Sequence, residues 1–162
     1  MSAIADFVLI PISAVSDLRA AAALKNAGRF GKPVDAFAEF MQKYGSEAAT
    51  YHWSGWVMST LLTYLSEKHA IDLIASAYDE LSEYLSKVRG STYFVLTNEH
   101  RHAYADKLGS GAFNESELRD YYNEFNDATE QDIGRPMLDG IKTLHDALAR
   151  LDDSSIVIFS IG

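Results

Sequence analysis

The chain has 162 residues, 48% hydrophobic and 23% charged, a composition that predicts a single globular domain over residues 1–162. Its formal net charge of −9 excludes nonspecific attraction to nucleic-acid phosphates or anionic lipid, because like charges repel at long range. Cysteine is absent and no apolar run reaches the roughly 20 residues of a membrane-spanning helix, so disulfides and thiolate chemistry are excluded and we expect a soluble, cytoplasmic protein.

The first predicted elements are a strand and two helices. Residues 7–10 form a continuous apolar run, which is typical of a strand buried on both faces. The first helix begins at a cap on Ser13 or Ser16, and the second follows Pro33, which suits a first helical position. The apolar stripes of these two helices are Val15, Leu18 and Ala22, and Val34, Phe37, Ala38 and Met41.

Two longer helices and a second strand fill the middle of the chain. The third helix contains both tryptophans, and the fourth ends at Gly90, because glycine adopts the left-handed conformation that closes many helices. Their apolar stripes are Trp53, Trp56, Val57, Leu61, Tyr64 and Leu65, and Ile71, Ile74, Tyr78, Leu81, Leu85 and Val88. We expect these two helices to pack antiparallel, and residues 93–96 to form the second apolar strand.

Three further helices follow the second strand. Residues 98–108 predict a short helix that Gly109 closes. Asn114, with Glu117 three residues later, resembles a capping box, and Pro136 predicts the start of the last helix. The apolar stripes of the last two helices are Leu118, Tyr121, Tyr122 and Phe125, and Met137, Ile141, Leu144, Leu148 and Leu151.

The order of elements predicts a helix-rich α/β (α+β) fold. A third apolar run at residues 156–159 raises the number of short strands to three. We expect a small three-stranded sheet packed against about seven helices. Long connections separate the strands, so we expect a parallel or mixed sheet, and the order of its strands stays open.

The most suggestive polar cluster follows the second strand. Ligands of α/β proteins often bind beyond strand ends, and Glu99, His100 and His102 supply a carboxylate and two imidazoles there, with Arg101 for an anion. Residues two apart on a helix point in different directions, so the two histidines do not form a metal pair. We favour a solvent-exposed helix start, and these three residues, joined by His52, are weak catalytic candidates. No metal and no cofactor is expected.

The residues around His52 allow a second interpretation. An aromatic pocket could be lined by Tyr51, His52, Trp53, Ser54 and Trp56, with Gly55 allowing close approach of the backbone. No Gly-x-Ser-x-Gly pattern surrounds Ser54, and no acid is placed to orient His52. Packing of both tryptophans in the core is therefore the favoured interpretation.

The two remaining histidines carry weaker signals. His145 borders the apolar stripe of the last helix, which predicts a buried, hydrogen-bonded imidazole. His69, near a helix junction, has no distinct signal and is expected in a loop or cap.

Negative charge is concentrated on the predicted helix that follows Asn114. Seven acids face the single base Arg119 in this region, namely Glu115, Glu117, Asp120, Glu124, Asp127, Glu130 and Asp132. Tyrosine is favoured at interfaces because a rigid ring carries a polar hydroxyl. Candidate partner-binding residues are Asp120, Tyr121, Glu124 and Asp127. The plainer interpretation is a solvated acidic face over a buried aromatic stripe.

Three functions remain open from the sequence. The leading hypothesis is a non-enzymatic interaction protein, of the inhibitor or immunity type, that presents the acidic, tyrosine-bearing helix to a basic protein partner. The alternative is a small enzyme or ligand-binding domain with a histidine and glutamate cleft after the second strand. A structural subunit is the third, and we expect either a monomer or a homodimer.

Overall fold

The computed structural model describes residues 3–23, 25–27 and 33–162. The strands of this part are β1 (Ala5–Pro11), β2 (Lys25–Ala27), β3 (Pro33–Asp35), β4 (Ser46–Thr50), β5 (Thr92–Leu96) and β6 (Ser155–Ile161). Its α-helices are α1 (Val15–Ala23), α2 (Ala36–Tyr44), α3 (Gly55–His69), α4 (Asp79–Arg89), α5 (Asn98–Leu108), α6 (Glu115–Asn126) and α7 (Gly134–Ala149). Among these residues, no helix is both long enough and apolar enough to cross a membrane.

Four strands form one antiparallel sheet in the order β4-β1-β6-β5, and β2 and β3 form a separate antiparallel pair. The three predicted strands are confirmed as β1, β5 and β6. The helix-rich α+β class is confirmed, but the sheet is not the expected three-stranded one, because β4 adds a fourth strand. Every pairing is antiparallel, so the parallel and mixed arrangements that the sequence left open are wrong. Prediction missed β4 because Ser46, Glu47 and Thr50 interrupt any apolar run, as is common in edge strands.

Helices cover both faces of the sheet, so two apolar cores form. The larger core joins the sheet to α3, α5, α6 and α7, and its members include Phe7, Leu61, Leu108, Leu118, Leu144 and Phe159. The smaller core joins the opposite face to α1, α2 and α4, and its members include Ile10, Leu18, Phe40, Leu85 and Ile158. Successive side chains of a strand point to opposite faces, which explains why the runs in β1 and β6 are apolar at every position.

Helices α3 and α4 lie on opposite faces of the sheet, which contradicts the expected antiparallel packing of these two helices. The segment of residues 70–78 between them therefore passes from one face to the other. Ile71 and Leu73 are buried in the larger core, whereas Tyr78 packs against the smaller one. The fourth predicted helix consequently begins only at Asp79.

Several helix ends agree with the capping rules. Gly90 ends α4 in the left-handed region at φ 79°, as predicted. The Asn114 side chain accepts a hydrogen bond of 2.8 Å from the backbone N–H of Glu117, which confirms the predicted start of α6. Helix α7 begins at Gly134, two residues before the expected start at Pro136.

The start of α2 differs from the prediction and depends on an ion pair. Pro33 belongs to β3, and Asp35 caps the helix by accepting a hydrogen bond of 3.1 Å from the Phe37 N–H. Both carboxylate oxygens of Asp35 also accept hydrogen bonds from Arg89, at 3.1 and 2.6 Å. The Arg89 guanidinium lowers the pKa of the Asp35 carboxyl, chiefly through this hydrogen bonding. The pair therefore ties the beginning of α2 to the end of α4.

We predict that Asp35→Asn, which can keep the cap but loses the ion pair, lowers the free energy of unfolding by about 1 kcal/mol at neutral pH. The pKa of Asp35 is lowered in the folded state, so its contribution is present above the ordinary value of 3.8 and is lost as the pH falls through the lowered value. Urea unfolding across this range should show the variant and the wild type converging in acid. A difference that stays constant with pH would contradict the assignment, and exposed Asp106→Asn is the control.

Candidate functional site

The structure separates the four catalytic candidates instead of bringing them together. Strands β4 and β5 run in opposite directions at opposite edges of the sheet, so their C-terminal ends lie at diagonally opposite corners. His52 follows β4, and Glu99, His100 and His102 follow β5. These corners are roughly 20 Å apart for strands of this length and spacing. The cleft that would join His52 to the other three residues is therefore not formed.

His100 is a buried structural residue with both ring nitrogens in use. Its Nδ1 accepts a hydrogen bond of 3.1 Å from the Thr97 N–H, which completes a capping box at the start of α5. Its Nε2 lies 2.8 Å from the Ala75 carbonyl oxygen, which can only accept, so Nε2 carries the proton. The neutral imidazole thereby anchors the segment of residues 70–78 where it rounds the corner of the sheet.

The neighbours of His100 do not converge on one point either. Glu99 and His102 are exposed, and the His102 Nε2 lies 3.2 Å from the Asn98 amide, which donates to Asp153 at 2.7 Å. His52 is exposed as well. Across the residues that the structure describes, no three histidines or carboxylates lie close enough together to hold a metal ion. The catalytic role of these residues stays a prediction without a shared site.

The two tryptophans are not core residues, which contradicts the favoured interpretation. Trp53 precedes α3 and Trp56 lies in its first turn, and they are 46% and 63% exposed. The Trp53 indole N–H donates to Asp139 at 3.0 Å. Trp56 borders an uncharged cavity of about 330 Å³ between α3 and the corner of the sheet, which Phe94 also lines. Of the residues predicted to form an aromatic pocket, Trp56 alone lines this cavity, so the predicted pocket is not formed.

Two smaller expectations on aromatic and histidine burial also fail. The His145 side chain is 40% exposed and lies 3.6 Å from Asp146, so it is not a buried histidine. Phe125 is 53% exposed, because it projects at the end of α6. Its ring stacks on Tyr121 with the centroids 5.8 Å apart, which leaves an exposed aromatic group beside the acidic residues of the helix.

The acidic helix α6 packs against α3. Asn126, at the end of α6, donates to the Thr60 hydroxyl at 3.2 Å, and Tyr64 donates to Glu117, in the first turn of α6, at 3.0 Å. This arrangement brings Glu67 of α3 within 2.8 Å of the Tyr121 hydroxyl. Sequence analysis missed the contribution of α3, because the contacting residues lie more than 50 positions apart.

A buried hydrogen-bond network supports the contact between these helices. The Tyr64 side chain is 1% exposed, and its hydroxyl donates to Glu117. The His69 Nε2 lies 3.0 Å from the same hydroxyl, whose proton is already engaged, so Nε2 is the donor. Burial, reinforced by Glu117, raises the pKa of Tyr64 well above its ordinary value and keeps the phenol protonated. The hydrogen bond from Tyr64 therefore holds the Glu117 carboxylate in position.

An open pocket of about 470 Å³ lies where α3 and α6 meet, and we call it the acidic pocket. Its lining residues are Tyr64, Lys68, Asn114, Ser116, Glu117, Asp120, Tyr121 and Glu124. The hydrogen bond from Tyr121 to Glu67 fixes its ring at the pocket wall. Burial first, then Glu67 and Glu124, raise the pKa of Tyr121 to about 12. Three of the four predicted partner-binding residues therefore share one pocket.

Basic residues neutralise part of the acidic surface. Asp120 pairs with Arg119 at 2.7 Å, and Glu115 lies 3.6 Å from Arg135. Glu124 makes no salt bridge within 4.0 Å to any described residue. Asp127 is exposed at the C-cap of α6, outside the lining of the pocket. The charges of Glu124 and Asp127 are therefore not neutralised by a described basic side chain within 4.0 Å, whereas that of Asp120 is.

We predict that His100→Ala lowers the free energy of unfolding by about 2 kcal/mol, because it leaves the Thr97 N–H and the Ala75 carbonyl without their partner. Hydrogen exchange of residues 70–78 should become faster at the same time. The exposed His102 on the same helix is the matched control, and His102→Ala should change stability by less than about 0.5 kcal/mol. Equal effects of both substitutions would refute the anchoring role.

The exposure of Trp56 predicts that its substitution changes the stability of the protein only a little. We expect Trp56→Ala to change the free energy of unfolding by no more than about 1 kcal/mol, because most of the ring already contacts water. Met58→Ala, two residues further along α3, should cost about 2–5 kcal/mol, because Met58 is 0% exposed. Chemical denaturation of both variants measures the two changes in the free energy of unfolding. A loss for Trp56→Ala as large as that for Met58→Ala would mean that Trp56 is a core residue after all.

Comparison with known proteins adds no functional assignment. No protein-family model, curated protein or solved structure matches the chain. The acidic pocket between α3 and α6 brings together three of the four predicted partner-binding residues, and it is the candidate functional site of this α/β protein.

Proposed function

We propose that the protein is a non-enzymatic binding protein that captures a basic protein partner with the acidic, aromatic surface of α3 and α6. Three carboxylates of α6, from Glu117, Asp120 and Glu124, line an open pocket together with the Tyr121 ring, and this is the observation that carries the proposal. Glu67 of α3 holds that ring by accepting a hydrogen bond from its hydroxyl. Carboxylates supply ion pairs, and an aromatic face attracts cations through its quadrupole. The combination suits an arginine or lysine side chain of a partner.

Hydrogen bonds hold two side chains of the acidic pocket in position before a partner binds. Tyr64 holds Glu117 and Glu67 holds Tyr121, so these side chains lose little freedom when a partner docks. The exposed Phe125 adds an apolar contact beside the charges. Interfaces commonly combine an aromatic anchor with surrounding polar groups. The acidic pocket therefore offers affinity from both packing and charge.

Net charge supports the same proposal over longer distances. A protein of formal charge −9 attracts a basic partner before contact and increases the rate of association at low ionic strength. Blocking a cationic active site or nucleic-acid-binding surface requires no catalytic residue. An inhibitor or immunity-type role is the specific form of binding that we propose, with the protein acting as a monomer or a homodimer.

The proposal predicts that charge reversal near the pocket weakens binding. The double variant Glu124→Lys, Asp127→Lys should bind a fluorescent lysine- and arginine-rich peptide about ten-fold more weakly, because each exposed ion pair contributes up to about 1 kcal/mol. Fluorescence anisotropy at low salt measures the affinity, and added salt should reduce it for the wild type. Circular dichroism checks that the fold is retained.

A matched control separates the site from net charge. Glu80→Lys, Glu83→Lys makes the same change in charge with exposed residues of α4, on the opposite face of the sheet. We expect this control to lose much less affinity than the pocket variant. Equal losses would mean that only the total charge attracts the peptide, and the proposed surface would then be rejected.

A further inference from the structure

The wall of the acidic pocket carries a cation from its own chain. Lys68 lies near the end of α3, one turn after Tyr64, and lines the pocket. Its Nζ lies 6.0 Å from the centroid of the Tyr121 ring. The same pocket is the partner site of the proposed function, so Lys68 lies beside the ring that a cation of the partner would contact.

We propose that Lys68 is an intramolecular competitor for the acidic pocket and that an arginine side chain of the partner displaces it from the Tyr121 ring. This inference rests on the proposed function, and it names both the group that enters the pocket and the residue that opposes its entry. A partner therefore binds only if its cation interacts with the Tyr121 ring more favourably than Lys68 does.

The Tyr121 ring is well prepared to hold a cation. Its hydroxyl donates to Glu67 at 2.8 Å, which makes the ring more electron-rich and fixes its orientation. The Tyr64 ring meets it edge-on at 4.9 Å, and Phe125 stacks on it at 5.8 Å. A fixed ring with increased electron density attracts a cation more strongly than a mobile one.

Lys68 is held weakly enough to be displaced. A distance of 6.0 Å is at the outer range of effective cation–π contact. Lys68 is exposed, and no described carboxylate lies within 4.0 Å of its ammonium group. Lys142, by contrast, is held by Asp146 at 2.7 Å. The lysine therefore lies at the pocket wall without a strong bond to the pocket's other side chains.

Arginine is the side chain that best replaces Lys68. A planar guanidinium stacks on an aromatic ring and simultaneously donates paired hydrogen bonds to carboxylates, whereas an ammonium group acts as a point charge. Glu117 and Glu124 line the same pocket as the Tyr121 ring and supply carboxylates for such a fork. An arginine can thus combine both interactions, of which Lys68 makes only the weaker.

The experiment compares Lys68→Gln with Lys107→Gln. Lys107 lies 5.8 Å from the Tyr104 ring on α5, so both substitutions remove one positive charge and one cation–π contact, but only the first removes a cation that lines the acidic pocket. The probes are hexa-arginine and hexa-lysine peptides, with affinity measured by fluorescence anisotropy. We expect Lys68→Gln to bind hexa-arginine about three-fold tighter than Lys107→Gln does, with a smaller gain for hexa-lysine.

The outcomes distinguish this inference from the proposed function. Equal affinities of the two glutamine variants for hexa-arginine would overturn the role of Lys68, and an equal or larger gain for hexa-lysine would overturn the preference for arginine. Charge reversal at Glu124 and Asp127 could weaken binding while Lys68→Gln and Lys107→Gln bind the peptides equally well. In that case the proposed binding surface is retained, and only the role of Lys68 as a competitor is rejected. If neither peptide binds the wild type or Lys68→Gln, the proposed function fails as well.

Discussion

Burial of strand β6 on both faces is the constraint on which the fold depends. On one face, Phe159 stacks on Phe7 with the centroids 4.4 Å apart and contacts Phe94 at 5.3 Å. On the other face, Ile156 and Ile158 are 0% and 1% exposed. A strand of this kind needs helices on both sides. The consecutive helices α3 and α4 are therefore divided between the faces, and the segment of residues 70–78 has to cross the corner of the sheet.

Helix α3 connects this core to the acidic pocket. Met58 and Leu61 on its inner side are 0% exposed, whereas Glu67 and Lys68 on its outer side are exposed. Tyr64 lies between the two sides, with a buried ring and a hydroxyl that reaches α6. The position of the Glu117 carboxylate thus follows from core packing, which is how a rigid element holds a side chain in a defined arrangement.

The failures of sequence-based prediction have identifiable physical causes. Residue type indicates a tendency to be buried, but the rotation of a helix about its axis decides which side is buried. Leu61 and Leu65 direct one side of α3 into the larger core, and this leaves Trp56 facing solvent. His100 behaves in the opposite way, because a polar residue expected on the surface is buried by the crossing segment that it anchors. Neither outcome is encoded by the immediate neighbours in sequence.

The sequence by itself determined the net charge, the absence of thiol chemistry, three of the strands, the ends of several helices and the concentration of acids on α6. These properties depend on composition or on residues within one or two turns of each other. Only the tertiary structure decided the direction of the strands, the separation of His52 from His100, and the contact of Tyr121 with Glu67, which is 54 positions away. Such contacts arise when whole helices pack to bury their apolar sides, so no local pattern contains them.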